Sequence, residues 1–256
     1  MAEFTSYAPG TPSWVDLASP DLDRSRAFYE ALFGWKSHVG GPDTGGYTMF
    51  TKQEKNVAGA GPIMMEGQPS AWTTYVSVED AGATIDKVKK AGGVVFVEPM
   101  DVIDVGRMAV FADTGGAAIA LWQPRAHIGA QLANEPETFT WNELQTRDPA
   151  GAKVFYHEVF GWEAETSEGE QMTYTEWKLD GKTIGGMMDM PPMVPAEVPA
   201  NWLVYFGVED CDASTARATG LGATVLAGPM DIEPGRFTVL GDPTGAVFAV
   251  IAFTHS

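Results

Sequence analysis

Residues 12–35 read PSWVDLASPDLDRSRAFYEALFGW, and residues 139–162 read FTWNELQTRDPAGAKVFYHEVFGW. At an offset of 127 the two stretches share eight of 24 positions, which is enough to reveal an internal repeat, and a repeat fixes architecture before any single element is assigned. The match continues outward. AWTTYVSVEDAGATIDKVKKAGG from Ala71 aligns with NWLVYFGVEDCDASTARATGLGA from Asn201, and EPMDVIDVGR aligns with GPMDIEPGR after one deletion. DTGGAAIAL from Asp113 then aligns with DPTGAVFAV from Asp242. The order of blocks is the same in both halves, so the expected division is a first domain over 8–124, a linker over 125–138 and a second domain over 139–253.

Each half reads as strand, helix and short strands, followed by the same series again. Trp14–Leu17 suits a short strand. Ser19 or Asp21 is placed to cap a helix whose residues Ala27, Phe28, Ala31 and Leu32 share one face, and Gly34 ends it. Tyr47–Thr51 and Val57–Met64 form a hairpin around the polar Gln53–Asn56. Trp72–Val78 opens a second unit, Glu79–Lys90 is its helix, and Gly92 and Gly93 stop that helix. Val94–Val97, Arg107–Ala112 and Ala117–Trp122 complete the first half. The acidic run from Glu163 to Glu170 reads as a solvated loop.

Composition narrows the function. Sixteen Lys and Arg against 34 Asp and Glu give a net charge of −18, which repels nucleic acid and anionic membranes. No apolar run reaches the roughly 20 residues of a spanning helix. Cys211 is the single cysteine, so no intramolecular disulfide forms, and the start Met-Ala-Glu-Phe-Thr-Ser has neither a basic segment nor an apolar stretch for export. The expected location is the cytoplasm. No phosphate-binding loop, dinucleotide fingerprint or nucleophile elbow is present, and the acidic Glu-Asp-Cys-Asp setting makes Cys211 an inert thiol.

The blocks FYEALFGW, FYHEVFGW, GGAAIAL and DPTGAVFAV resemble the vicinal oxygen chelate superfamily, which includes glyoxalase I, extradiol dioxygenases and bleomycin-resistance proteins. The similarity spans nearly the whole chain and is strongest to two-domain actinobacterial glyoxalase-like or hydroxylase-type members. It implies an α+β fold of four βαβββ modules, paired into two cup-shaped sheets that each hold a ligand. How the modules pair, and the oligomeric state, stay open. In metal-dependent relatives the ion is held at positions that correspond here to Trp14, Thr73 and Ala120, repeated as Trp141, Leu203 and Ala249. None of these is a usual metal ligand, and the four histidines are scattered, so neither a metal nor another cofactor is expected.

Strand alternation sorts the remaining candidates. Trp14, Asp16, Thr73, Tyr75 and Trp122 face the first cup; Trp141, Glu143 and Tyr205 face the second. Asp16 and Glu143 are candidate bases, or anchors for a ligand hydroxyl, because a carboxylate in an apolar cup must be paired or have a raised pKa. A purely structural pairing is the competing reading. Arg107 and Arg236 are expected at the start of inward-facing strands, where each would neutralise a carboxylate or stabilise developing negative charge. The aromatic lining, with Met49, Met64, Met65, Met187 and Met188 nearby, suits a flat hydrophobic ligand. The expectation is a metal-independent protein that binds or tailors a hydrophobic or aromatic small molecule. A glyoxalase-type lyase or a dioxygenase or hydroxylase is the alternative. A non-catalytic interaction module would instead have its cups plugged by aromatic rings.

Overall fold

Aspartates cap the four α-helices among the described residues. In the computed structural model, which describes residues 3–64, 67–169 and 173–254, Asp21 caps α1 (Leu22–Phe33) by accepting the Arg24 N–H. Asp80, Asp148 and Asp210 do the same for α2 (Ala81–Lys90), α3 (Pro149–Phe160) and α4 (Cys211–Gly220). Such caps stabilise a helix by about 1 kcal/mol. Ser19, the other candidate cap, pairs its hydroxyl with that of Ser25. Gly34 and Gly161 close α1 and α3 at φ of 70° and 74°, a conformation that costs glycine nothing.

The first half forms an eight-stranded sheet from β1 (Pro12–Ser19), β2 (Lys36–Val39), β3 (Thr48–Lys52), β4 (Lys55–Pro62), β5 (Ala71–Ser77), β6 (Val94–Val102), β7 (Gly106–Ala112) and β8 (Ala118–Pro124). Its strand order is β2-β3-β4-β1-β5-β8-β7-β6. The second half repeats that order with β9 (Phe139–Thr146), β10 (Glu163–Glu168), β11 (Thr173–Leu179), β12 (Lys182–Asp189), β13 (Asn201–Gly207), β14 (Thr224–Ile232), β15 (Gly235–Gly241) and β16 (Val247–Phe253). Chain neighbours therefore pair, because β1 lies between β4 and β5, and β9 between β12 and β13. The Glu163–Glu168 stretch corrects the loop expectation. It is an edge strand, exposed throughout, with the backbone of β11 on one side and water on the other; a charged edge discourages pairing with further strands. Glu170 and Met65 lie outside the described residues.

The helix-bearing faces of the two sheets meet in a shared core. Phe33, Trp35 and Trp72 of the first half pack around Phe206 of the second at ring separations of 5.0–5.6 Å. Two matched polar clasps cross this interface. Tyr29 donates to Asp242 at 2.9 Å and accepts the Trp72 indole N–H at 2.9 Å. Tyr156 donates to Asp113 at 2.9 Å and accepts from Trp202 at 2.8 Å. Each aspartate also holds its own turn, through the N–H groups of Gly115 and Ala117 or of Thr244 and Ala246. Trp35 and Trp162 reach across as well, donating to the carbonyls of Glu137 and Gly10. With the helices between the sheets, the concave faces open outward.

Candidate functional site

Each cup has a carboxylate at its floor. In the first, β1 presents Trp14 and Asp16 on one face, and its register with β5 sets Trp14 beside Tyr75 and Asp16 beside Thr73. Tyr75 donates to Asp16 Oδ2 at 3.0 Å, and Tyr47 donates to the same oxygen at 3.2 Å. The Trp14 indole N–H in turn reaches the Tyr47 hydroxyl at 3.1 Å. None of these bonds uses Oδ1, and Asp16 is only half-buried. Burial pushes its carboxyl up to about 6, against the opposing pull of the two phenol hydrogen bonds.

The second cup repeats the motif with a longer acid. Tyr174 donates to Glu143 Oε2 at 2.9 Å, while Tyr205 at 2.9 Å and the Gln145 amide at 3.3 Å donate to Oε1. Trp141 donates to the Tyr174 hydroxyl at 2.9 Å. Glu143 is 4% exposed, and burial raises its pKa despite these donors. Burial first, and the adjacent carboxylate second, raise the phenols of Tyr47, Tyr75, Tyr174 and Tyr205, so they act as donors at neutral pH.

Two glycines make room for the paired phenols. A Cβ on Gly59 would overlap the Tyr47 hydroxyl, and one on Gly186 would overlap that of Tyr174. Tyr47 and Tyr174 were not among the sequence candidates, although both stand at a strand start, just before β3 and second in β11, at the repeat offset of 127 and so carried a signal. The cup walls are apolar and partly open to solvent. Met49, Val102, Met108 and Val110 line the first; Trp141, Phe237 and Val239 line the second. Trp122 enters the first cup against Tyr75, at a ring separation of 6.5 Å, whereas Ile251 takes its place in the second.

The arginines do not join the carboxylates. Met108 pairs with the cup-facing Trp122, and Phe237 pairs with Ile251, so alternation turns Arg107 and Arg236 to the opposite face. There Arg236 bonds Asp212 at 3.0 Å and Asp231 at 2.9 Å, and Arg107 donates to the Pro99 carbonyl at 3.1 Å. The sequence expectation placed them inward from the strand start without counting from the cup residues. A histidine arrives instead: the linker brings His127 edge-on against Trp14, with ring centroids 4.6 Å apart.

Comparison with known proteins follows the two sheets. Residues 11–121 match the family model described as glyoxalase/bleomycin resistance protein/dioxygenase superfamily, and residues 128–251 match one described as a glyoxalase-like domain. The chain is 42% identical to "Putative glyoxylase CFP32" of Mycobacterium tuberculosis, over 98% of each chain. It is 37% identical to the anthracycline biosynthesis protein DnrV of Streptomyces peucetius, over 96% of this chain and 94% of that one. Among solved structures, a Mn(II)-bound glyoxalase from Novosphingobium aromaticivorans superposes with a TM-score of 0.66 at 16% identity, over 95% of this chain and 82% of that one. The 2,3-dioxygenase LapB from Pseudomonas sp. KL28 gives 0.66 at 13% identity, over 96% and 92%.

Because this fold holds a metal in such a relative, the donors in each cup bear on whether an ion fits here. Each floor offers one central carboxylate, already engaged by two phenols, and the positions facing it across the sheet are Gly59 and Thr73, or Gly186 and Leu203. Among the described residues no group of three or more His, Cys, Asp or Glu side chains is arranged to hold an ion. This donor set does not match the three or four nitrogen, sulfur or carboxylate ligands that hold zinc or a transition metal. With two family domains in tandem and full-length similarity to two-domain relatives, the chain belongs to the glyoxalase/bleomycin resistance protein/dioxygenase superfamily.

Proposed function

We propose that the protein binds a planar, hydroxylated aromatic molecule without a divalent metal, and that the first cup is its principal site. The observation that carries this reading is the uneven use of the two carboxylates. Both phenols converge on one oxygen of Asp16, leaving Oδ1 for a ligand, while hydrogen bonds occupy both oxygens of Glu143. A ligand hydroxyl donating to Oδ1 gains a charge-assisted hydrogen bond inside apolar walls. With a pKa near 6, Asp16 is ionised at neutral pH and basic enough to take that hydroxyl's proton if the bound molecule reacts. Met49, Met108 and Val110, partly exposed over the buried Trp14, Tyr75 and Trp122, supply an apolar wall for the ring system. The name of the Streptomyces relative, an anthracycline biosynthesis protein, agrees with a ligand of this class.

The test is titration of a monohydroxyanthraquinone into protein whose metal content has been measured, followed by tryptophan fluorescence and calorimetry. Saturable binding to metal-free protein, weakened by Asp16→Asn more than by Glu143→Gln, is the expected result. Binding or turnover that appears only after adding a divalent cation would favour a glyoxalase-type lyase or a dioxygenase. No saturable binding under either condition would leave a non-catalytic interaction module.

A further inference from the structure

Residues 125–133 are fixed against the first cup rather than spanning the domains loosely. The Arg125 and His127 N–H groups both reach the Val105 carbonyl, Ala130 N–H reaches Ser13, and Gln131 N–H reaches Asn56 at 2.7 Å. The Gln131 side chain returns a bond to the Asn56 N–H at 2.9 Å. Gly129 adopts φ 108°, and its Cα lies so close to the Ser13 carbonyl that no Cβ fits. The Trp122 indole donates to the His127 carbonyl at 2.7 Å, which fixes that residue over the cup.

Its imidazole is then held between two cup tryptophans, 4.6 Å from Trp14 and 5.4 Å from Trp122, with both rings near edge-on. Among the described residues it takes part in no hydrogen bond. Burial alone depresses its pKa to about 4, so the ring is neutral at pH 7 with one donor and one acceptor nitrogen to offer. Trp14 links this ring to the carboxylate: it packs on His127 and donates to Tyr47, which donates to Asp16. Among the described residues no histidine covers the second cup, whose cluster is Leu203, Tyr205, Ala249 and Ile251.

We propose that His127 is a second polar ligand contact in the first cup, making it a two-point site for a planar ring system with a polar group at each end, one taken by Asp16 and the other by His127. This rests on the cup-binding reading above.

The test uses two probes on the full chain: a monohydroxyanthraquinone, and a dihydroxyanthraquinone with hydroxyls on its two outer rings. Affinities are measured by calorimetry for wild type, His127→Phe and His127→Gln, with thermal unfolding as a folding control. Phe keeps the ring packing and removes the nitrogens, whereas Gln restores a donor and an acceptor. The expected result is that wild type prefers the dihydroxy probe at one site by roughly tenfold, the scale of one neutral hydrogen bond. His127→Phe should abolish that preference, and His127→Gln should restore part of it. An unchanged preference in His127→Phe overturns this proposal alone. Failure of both probes to bind wild type overturns the cup-binding reading, and this proposal with it.

Discussion

The two cups share a scaffold and differ by one methylene at the floor. Asp16 and Glu143 occupy equivalent strand positions, each between two phenols, the outer of which is held by a tryptophan. The shorter acid offers one oxygen to both phenols and keeps the other; the longer acid gives an oxygen to each. The surroundings diverge in the same direction. The first cup has Met49 where the second has Glu176, beside Lys178, and the first is covered by linker residues 125–133 with His127. Duplication thus preserved the framework, while small changes of side-chain length and cover set how much polar capacity remains for a ligand.

The largest expected test of this contrast is a pH effect. The Asp16 pKa is raised from 3.8 to about 6 in the folded protein, so proton uptake stabilises the fold fully below about pH 4, and that stabilisation is lost as pH rises through about 6. Two pKa units correspond to roughly 3 kcal/mol as an upper estimate. Asp16→Asn, which can turn its single carbonyl oxygen to both phenols, should therefore exceed wild type in stability at pH 7 by up to about 3 kcal/mol, with the gain vanishing near pH 4. Glu143→Gln should gain less, since its amide must face a phenol that now donates to a carboxylate oxygen. Denaturant titrations at the two pH values decide it. His127 runs the other way, its depressed pKa making stability rise between about pH 4 and 6.5, and comparing each variant with wild type cancels that contribution.

Next in size, Gly129→Ala should cost about 1–3 kcal/mol through overpacking against Ser13. Hydrogen exchange should quicken over residues 125–133 and leave the second cup protected. Removing one phenol donor from each floor, by Tyr75→Phe and Tyr205→Phe, should cost about 1–2 kcal/mol apiece. It should also raise the neighbouring carboxyl further, so that Asp16 titrates above 6 by NMR in Tyr75→Phe. Equal shifts at both floors would erase the distinction, because Glu143 retains donors on both oxygens, Gln145 on one and Tyr174 on the other, and should move less. Smallest of all, Arg236→Gln should change neither ligand affinity nor the titration of Glu143, because its partners are on the opposite face.

The repeat made the sheets legible, and alternation put Trp14, Asp16, Tyr75, Trp141, Glu143 and Tyr205 on the correct faces because those strands pair with few interruptions. It failed for Arg107 and Arg236, where inwardness was counted from a glycine rather than from the partner strand. Tyr47 and Tyr174 reach the carboxylates from 31 residues away in the chain, so only their matched positions in the repeat hinted at a shared role. His127 had no such hint. It lies in the linker, where neither period nor repeat constrains a side chain, and its position depends on hydrogen bonds to β1, β4 and the β6–β7 turn.

The crossed clasps have a consequence for how the molecule comes apart. The Tyr29 hydroxyl donates its proton to an aspartate of the other half, and that of Tyr156 likewise, so separating the halves strands two buried hydroxyl–carboxylate pairs together with the aromatic cluster around Phe206. Independent melting of one half would leave its neighbour with an unpaired acid and an exposed apolar face, each costly. The duplicated units should therefore unfold as one cooperative body, with a single calorimetric transition whose enthalpy matches the van't Hoff value for the whole chain.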